Sequence, residues 1–320
     1  MRPPLRSSSW LTPPAPTVAV EIASRRVTVV EIGASAGGAV VTAFATEPLP
    51  EGAIAPALTG VNIANVEVVA DGLRRALDRA GLRSARKAAL IVPDGVARLS
   101  LLPFEQLPPR ASDLEQLVRW QVRKATPFPI EEAQVSHFVA NNENGTTLAA
   151  VVARRDVIAQ YESVTSAAGI HAGVVDLASL NVMNAVMAAG AAATGDWLLV
   201  CLAVEGTTLA ILRGQQLLFY RHRAAVDEEP LSALVHQTAM YHEDRLGGSK
   251  FARVWLSGSA LVSAGVEDLR RDISERLGLA ADTVDIRPAA DVRDRVSATV
   301  DVLDALAAPV GVLLRDRKAA

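Results

Sequence analysis

The sequence predicts an α/β fold built from two similar halves that face a common cleft. Residues 18–32 have the pattern of strand, short turn and strand, and residues 198–212 repeat it about 180 residues later. Helical stretches follow both hairpins. The 320 residues, half of them hydrophobic and 21% charged, are enough for two cores and too apolar for a disordered chain. Periodicity alone is compatible with many α/β folds.

The first half opens with strands expected over 18–22 and 27–32. A helix follows, because five apolar residues recur at helical spacing: Val66, Val69, Leu73, Leu77 and Ala80. Before these elements, residues 1–16 hold five prolines and three consecutive serines without an apolar central region. That composition predicts a disordered tail and not a signal peptide.

A helix that ends at an aromatic-proline turn is the most informative part of the middle segment, residues 93–171. Ser112 and Glu115 have the spacing of a capping box, and Pro127 and Pro129 stop the helix. Its apolar face is expected to comprise Leu114, Leu117, Val118, Val122 and Ala125. The segment's other expected elements are strands over 97–102, 134–140 and 146–152, a hairpin turn at Asn144-Gly145, and a helix over 154–168.

The second half repeats the plan of the first. Strands are expected over 198–202, 207–212 and 215–220. A helix with apolar residues at Leu231, Leu234 and Val235 follows and ends at Gly247-Gly248. The stretch 177–194 is the most nearly membrane-like part of the chain, but its Ala, Gly, Ser and Asn content indicates a buried helix.

Composition excludes several classes of function. The net charge of −3 gives no electrostatic basis for nucleic-acid binding. With one cysteine, Cys201, no intramolecular disulfide forms, and the spacing of the five histidines gives no metal-ligand cluster. No run of 18 or more uncharged apolar residues is present, and no direct membrane span is therefore predicted.

A collinear series of segments resembles the type IV pilus assembly protein PilM family, of the actin-like ATPase superfamily that also contains FtsA. Its most specific part is Trp120 followed by Pro127-Phe128-Pro129-Ile130 and acidic residues. The other matching segments occur in the family's order over residues 17–317, at 18–30, 89–95, 152–158, 168–176, 255–260 and 307–314. The resemblance implies an actin-like, ribonuclease H-like duplicated fold with an FtsA/PilM-type inserted subdomain.

The resemblance also implies a division of the chain into parts. The first actin-like lobe would comprise residues 17–92, 172–193 and 303–320, with 93–171 as the inserted subdomain and 194–302 as the second lobe. In FtsA and PilM the inserted subdomain is associated with partner contacts.

Actin-like ATPases hold the phosphates of ATP with two hairpin turns, whose acidic residues position magnesium through water. The family pattern is Asp-Ile-Gly followed by small hydroxyl residues. Here the first turn reads Glu21-Ile22-Ala23-Ser24-Arg25-Arg26, which keeps an acid that is one carbon longer and replaces glycine with alanine. The resemblance implies that Glu21, Ser24 and Arg25 are candidate nucleotide contacts in this turn. Alternatively, Arg25 and Arg26 both face solvent.

The second turn departs further from the family pattern, because Cys201-Leu202-Ala203 occupies the Asp-Ile-Gly positions. A thiol is a poor magnesium ligand. Partial substitutes are Glu205, Gly206, Thr207 and Thr208, although the threonines also suit an ordinary strand. Near the expected adenosine, Gly258 is kept and Ser259 replaces a second glycine. We therefore predict no catalytic residue, and an ATP–magnesium site that is weak or lost.

The resemblance implies a non-enzymatic scaffold, cytoplasmic and peripheral to the inner membrane, that binds the short cytoplasmic N-terminal segment of PilN. PilM proteins help to couple the PilN–PilO assembly to the pilus motor ATPase and platform proteins. The PilN segment would lie between the first lobe and the inserted subdomain, with Leu99, Leu101, Trp120 and Phe128 as candidate walls. Plain core packing is the alternative for Trp120 and Phe128.

Other functions remain open from the sequence: an ATPase or small-molecule kinase, a GspL-like scaffold of type II secretion, and an FtsA-like division protein. GspL carries a membrane span and a periplasmic domain, and FtsA ends in an amphipathic membrane helix. Here only charged residues and alanine follow Leu314.

Overall fold

The computed structural model of the chain describes residues 16–36, 38–142, 145–190, 195–225, 230–258, 266–293 and 298–315. Four sequence-based expectations lie wholly or almost wholly outside these ranges: the tail (all but Pro16), Asn144 of the predicted hairpin, Ser259, and the charged residues after Arg315. The strands are β1 (Val18–Ala23), β2 (Arg26–Ser35), β3 (Gly38–Pro48), β4 (Lys87–Val92), β5 (Ala97–Phe104), β6 (Ala133–Asn141), β7 (Thr146–Arg154), β8 (His171–Leu177), β9 (Asp196–Ala203), β10 (Gly206–Arg213), β11 (Gln216–Ala224), β12 (Arg253–Ser257), β13 (Ala281–Thr283) and β14 (Asp291–Val292).

Eight α-helices are described in the same ranges. They are α1 (Val66–Arg79), α2 (Ala111–Val122), α3 (Arg155–Ala167), α4 (Ala178–Ala188), α5 (Leu231–Leu246), α6 (Val266–Leu277), α7 (Val300–Ala305) and α8 (Ala307–Arg315). Within these ranges, no helix combines the length and apolar character that a membrane crossing requires.

Two of the three sheets share a five-stranded topology, to which the first adds β14 beside β3. The first has the order β14-β3-β2-β1-β4-β8 and the second β11-β10-β9-β12-β13. In each, an antiparallel three-stranded meander is followed by two strands parallel to its first strand. Residues 18–32 and 198–212 thus occupy equivalent positions, and the predicted duplication is confirmed.

The third sheet, in the order β5-β7-β6, is antiparallel and belongs to the segment between β4 and β8. Helix α2 covers one of its faces and buries a small core that includes Val118, Val122 and Leu148. The opposite face turns toward the rest of the molecule, because Ala149 joins the large central core.

Helices α4 and α8 form the centre of the molecule. The central core combines residues of both large sheets, such as Ile91 and Leu199, with residues of these helices. The helix backbones approach closely because Gly311 has no side chain: a Cβ there would lie 1.8 Å from the carbonyl oxygen of Asn181. Helices α1 and α3 cover the other face of the first sheet, and α5 and α6 that of the second.

The predicted capping box on α2 is wrong. The helix begins at Ala111 with Arg110 as N-cap, and no side chain caps its first turn. Ser112 is therefore already inside the helix, and its Oγ bonds Asp113 instead. At the other end, α2 stops at Val122 and a 3₁₀ turn over Arg123–Ala125 leads to the prolines. The buried helix expected over 177–194 is shorter, because α4 ends at Ala188.

Candidate functional site

A direct hydrogen bond joins the turns of the two equivalent hairpins. Ser24, in the turn after β1, donates from Oγ to Glu205 Oε2 at 2.7 Å, and Glu205 lies in the turn after β9. The two turns that would hold phosphates in an actin-like ATPase thus bond each other across the cleft.

Asp94 makes a second connection across the cleft. It follows Pro93 at the carboxyl end of β4 and is 9% exposed. Its Oδ1 accepts hydrogen bonds from the Ser179 amide (3.0 Å) and the Ser179 hydroxyl (2.9 Å). Its Oδ2 accepts from the Thr208 hydroxyl of β10 at 2.6 Å. Sequence reasoning did not select Asp94, although its place directly after a buried strand was the available signal.

The third connection lies at the end of β12. Asp304 of α7 accepts from Ser257 Oγ at 2.7 Å and from the Gly258 amide at 2.8 Å. Gly258 has φ +79°, and a Cβ on it would lie 1.9 Å from the carbonyl oxygen of Leu202. Only glycine permits this approach of the loop to the end of β9.

Two ionisable side chains of the cleft, Glu21 and Cys201, are shielded from water by burial. Burial raises the pKa of Glu21, nearby Asp304 and Glu205 raise it further, and Arg26, at 3.5 Å, opposes the rise. Burial also raises the pKa of the Cys201 thiol, which stays protonated near neutral pH. Burial of the cleft thus opposes the charged form of Glu21, and the ion pair with Arg26 favours it.

The cleft is narrow in this conformation. It encloses about 70 Å³, whereas pockets for drug-sized ligands span roughly 300–1,000 Å³. The hydrogen bonds of Ser24 and Asp94 would have to open before a triphosphate could reach both turns. In the described part of the chain, no three His, Cys, Asp or Glu side chains are grouped to hold a metal ion.

The predicted nucleotide contacts divide into two groups. Glu21, Glu205, Gly206, Thr208 and Gly258 line the cleft, with Ser24 bonded to one of them.

Arg25 and Thr207 do not join the cleft lining. Arg25 turns outward and pairs with Glu51 at 2.7 Å, because it occupies the outer corner of the β1–β2 turn. Arg26, the next residue, lines the cleft instead. Thr207 alternates with Thr208 along β10 and therefore faces the other side of the sheet.

A larger cavity, here called the groove, lies between the three-stranded sheet and the first sheet. It encloses about 590 Å³. One wall is β6, the outer strand of the three-stranded sheet, and the other is β8, the outer strand of the six-stranded sheet. Helix α4 contributes to the lining, and Leu212 and Leu217 of the β10–β11 hairpin reach it from the second sheet.

Most of the groove's lining is apolar. Val174 and Leu177 of β8, Met183 and Met187 of α4 and Val151 of β7 contribute to it. At its rim, Phe138 and Val139 of β6 are 41% and 56% exposed. These two side chains extend the apolar surface of the groove to its rim.

The polar groups of the groove are few. Gln134 and Ser136 of β6, Asn184 of α4 and Gln215 line it, together with an ion pair between Asp176 and Arg315. Burial raises the pKa of Asp176, and Arg315 opposes that rise. Such sparse polar groups fix the orientation of a ligand whose affinity comes from apolar contacts.

The four predicted partner contacts do not form one wall. Leu99 and Leu101 pack against the central core. Phe128 packs into the small core under α2, and Trp120, on α2, is 68% exposed.

For Trp120 and Phe128 the physical reason is that α2 covers the sheet face opposite to the groove. Leu99 and Leu101 lie on β5, at the sheet edge opposite to β6. In the described chain, none of these four residues lines the groove. Core packing, the alternative for Trp120, is wrong.

The family described as Type IV pilus assembly protein PilM matches residues 19–245. Among solved structures, a chain of the PilM–PilN type IV pilus biogenesis complex superposes with a TM-score of 0.78 at 17% identity, covering 93% of this chain and 98% of that one. A protein of unknown function with an actin-like ATPase fold, from Bacteroides thetaiotaomicron VPI-5482, gives 0.51 at 8% identity, covering 90% and 94%. These likenesses confirm the predicted actin-like fold.

Proposed function

The chain belongs to the type IV pilus assembly protein PilM family, and from this premise we propose that it is a non-enzymatic scaffold that binds the cytoplasmic N-terminal segment of a PilN-type membrane protein. The groove between β6 and β8 is the proposed binding site. A chain in the matching solved complex is PilM bound to PilN, which supports the choice of partner class.

The observation that carries this proposal is that two outer strands face one apolar cavity. In the described chain, β6 and β8 each pair with a neighbour on one side only. Their free edges offer backbone groups to an extended peptide, and the cavity offers apolar pockets to its alternate side chains. Strand addition of this kind draws affinity from main-chain hydrogen bonds and specificity from the pockets.

The proposed role of the nucleotide cleft is structural. Ser24–Glu205, Asp94–Thr208 and Gly258–Asp304 are hydrogen-bonded pairs that join the elements around it. Glu21 Oε2 and Arg26 Nε, which are also buried there, have no hydrogen-bond partner among the described residues. Hydrogen-bonded pairs of buried polar groups rigidify a structure. The cleft would therefore hold the two halves in one arrangement and keep the groove, which both halves line, in a fixed shape.

A peripheral position beneath the inner membrane follows from this partner. The PilN-type protein would anchor the scaffold, and the surfaces outside the groove would remain free for the motor ATPase and platform proteins. The domain division proposed from the family resemblance puts the groove between the first lobe and the inserted subdomain.

Calorimetric titration with a synthetic peptide tests the proposal. The peptide carries the first fifteen residues of the PilN-type protein from the same genome. Phe138→Ser, which removes an apolar wall, is expected to weaken binding by about tenfold or more, since lost aromatic anchors typically cost about 2 kcal/mol. Ser136→Arg, which fills the groove, should weaken it at least as much.

The matched control is His137→Ser, on the same strand but facing away from the groove. It should bind like the wild type. If the wild type binds no such peptide, or if all three variants bind equally, the proposed function is wrong. Thermal melting of each variant separates lost binding from lost folding.

A further inference from the structure

We propose that the groove has a second occupant, the chain's own N-terminal segment (residues 1–15), which competes in cis with the partner peptide. This inference rests on the proposed function for its consequence, but not for its geometry. It makes the groove a regulated site whose affinity for the partner depends on the segment that precedes β1.

The first argument is the point where the segment joins the fold. The Ile32 amide donates to the Thr17 carbonyl at 2.9 Å, which fixes the chain just before β1. The Pro16 ring lies 3.9 Å from the position that a Cβ on Gly173 would take. Gly173 belongs to β8 and directly precedes Val174, which lines the groove. The segment therefore leaves the fold beside the strand that forms the groove's wall.

The second argument is reach. The groove-lining part of β8, from Val174 to Leu177, extends over roughly 10 Å at strand spacing. A proline-rich chain extends by about 3.1 Å per residue, which carries residue 10 roughly 19 Å from Pro16. The groove-lining part of β8 is therefore within the reach of the segment.

The third argument is chemistry. The segment's large apolar residues are Met1, Leu5, Trp10 and Leu11, and it contains no acidic residue. These side chains match a groove whose rim exposes Phe138 and Val139. Trp10-Leu11 is the proposed anchor, because a tryptophan covers a large apolar area with little loss of conformational freedom.

Prolines make this occupant displaceable. Pro13 and Pro14 lack the amide hydrogen that strand pairing requires. The segment would therefore bind through its side chains and form fewer main-chain bonds than a strand-forming partner. An intramolecular ligand of this length acts at an effective concentration of the order of 1 mM. If its intrinsic Kd is about 0.1 mM, it lowers the apparent affinity for the partner by about tenfold.

The first test compares partner affinity in the full chain with and without the anchor. Trp10→Ser combined with Leu11→Ser should bind the PilN-type peptide about tenfold more tightly than the wild type. The control, Ser8→Ala combined with Thr12→Ala, should bind like the wild type. Equal affinity of all three proteins, or weaker binding by the Trp10/Leu11 variant, would overturn the competition.

The second test needs no partner and therefore separates this inference from the proposed function. In a Cys201→Ala background, Ser9→Cys is paired with Ser136→Cys inside the groove, or with His137→Cys on the opposite face. Under mild oxidation of dilute protein, the intramolecular disulfide should form at least tenfold faster with Ser136→Cys, as followed by intact mass. Similar rates for the two pairs would show that the segment does not enter the groove, whatever the peptide titrations give.

Discussion

The carboxylate of Asp94 joins two distant parts of the chain. Its two oxygens accept three hydrogen bonds, two from Ser179 and one from Thr208. The substitution Asp94→Asn replaces one acceptor oxygen with an NH₂ group, which would face a hydrogen-bond donor of Ser179 or Thr208. We expect the free energy of unfolding to fall by about 1.5–3 kcal/mol, the usual cost of disrupting a buried hydrogen bond to a charged group.

Urea denaturation measures this change. Asp113→Asn, on the exposed start of α2, is the matched control and should change stability by less than about 0.5 kcal/mol. Equal effects of the two substitutions would mean that Asp94 does not tie the cleft together.

Asp196 gives the protein a specific sensitivity to acid. Arg213 bonds this buried carboxylate through Nε (2.7 Å) and Nη2 (2.8 Å), and His242 Nε2 lies 2.6 Å away. The bonds from Arg213 are the largest cause that lowers the pKa of Asp196 below its ordinary value of 3.8. A lowered folded-state pKa contributes stability that is present above pH 3.8 and is lost as pH falls through the folded value.

The wild type should therefore be more stable than Asp196→Asn at pH 7, and the difference should shrink below pH 3.8. Urea denaturation at pH 7, 4 and 3 measures it. A difference that stays constant across this range would exclude the Arg213–Asp196 pair as its source.

At the scale of single residues, the sequence predicted which turns line the cleft better than it predicted which side chains point into it. It identified Glu21 and Thr208, which line the cleft, but chose Arg25, which pairs with Glu51, over Arg26. The direction of a side chain in a tight turn depends on backbone angles that composition does not specify. Asp94 was missed because its donors lie 85 and 114 positions away in the sequence.

Among the elements, α2 shows that an accurate pattern need not locate the proposed groove. Its apolar spacing predicted a helix, and Val118 and Val122 are buried under it. Trp120 also belongs to the most specific sequence match, yet it points to solvent on the face away from the groove. Periodicity finds the buried stripe of a helix but not the surface that the helix shields.

Trp120→Ala should therefore leave the affinity for the PilN-type peptide unchanged. Its effect on stability should stay below about 1 kcal/mol, because the side chain is 68% exposed. Val118→Ala, at a fully buried position of the same helix, should cost about 2 kcal/mol through the cavity that it leaves. Calorimetry and thermal melting measure both. A tenfold loss of affinity in a folded Trp120→Ala protein would return the binding site to α2.

For the whole molecule, the duplicated topology could be predicted because two similar hairpins recur in the sequence. The closure of the cleft and the meeting of β6 with β8 could not, because both arise from packing between sheets that are distant in the chain. The groove in particular depends on α4, α8 and the β10–β11 hairpin at once.

Closure of the cleft predicts the response to nucleotide. Since ligands stabilise a fold only when they bind it, 1 mM ATP with magnesium should leave the melting temperature unchanged. Phosphate release should remain at background. A higher melting temperature, with turnover that Glu21→Ala abolishes, would mean that the cleft opens and works as an ATPase site.

The most direct measurement of the central claim is hydrogen–deuterium exchange with and without the PilN-type peptide. If the peptide adds a strand in the groove, amides at a free edge of β6 (Ala133–Asn141) or β8 (His171–Leu177) become protected. Helix α2, on the far side of the inserted sheet, should exchange at its original rate. Protection confined to α2, with β6 and β8 unchanged under saturating peptide, would contradict the account.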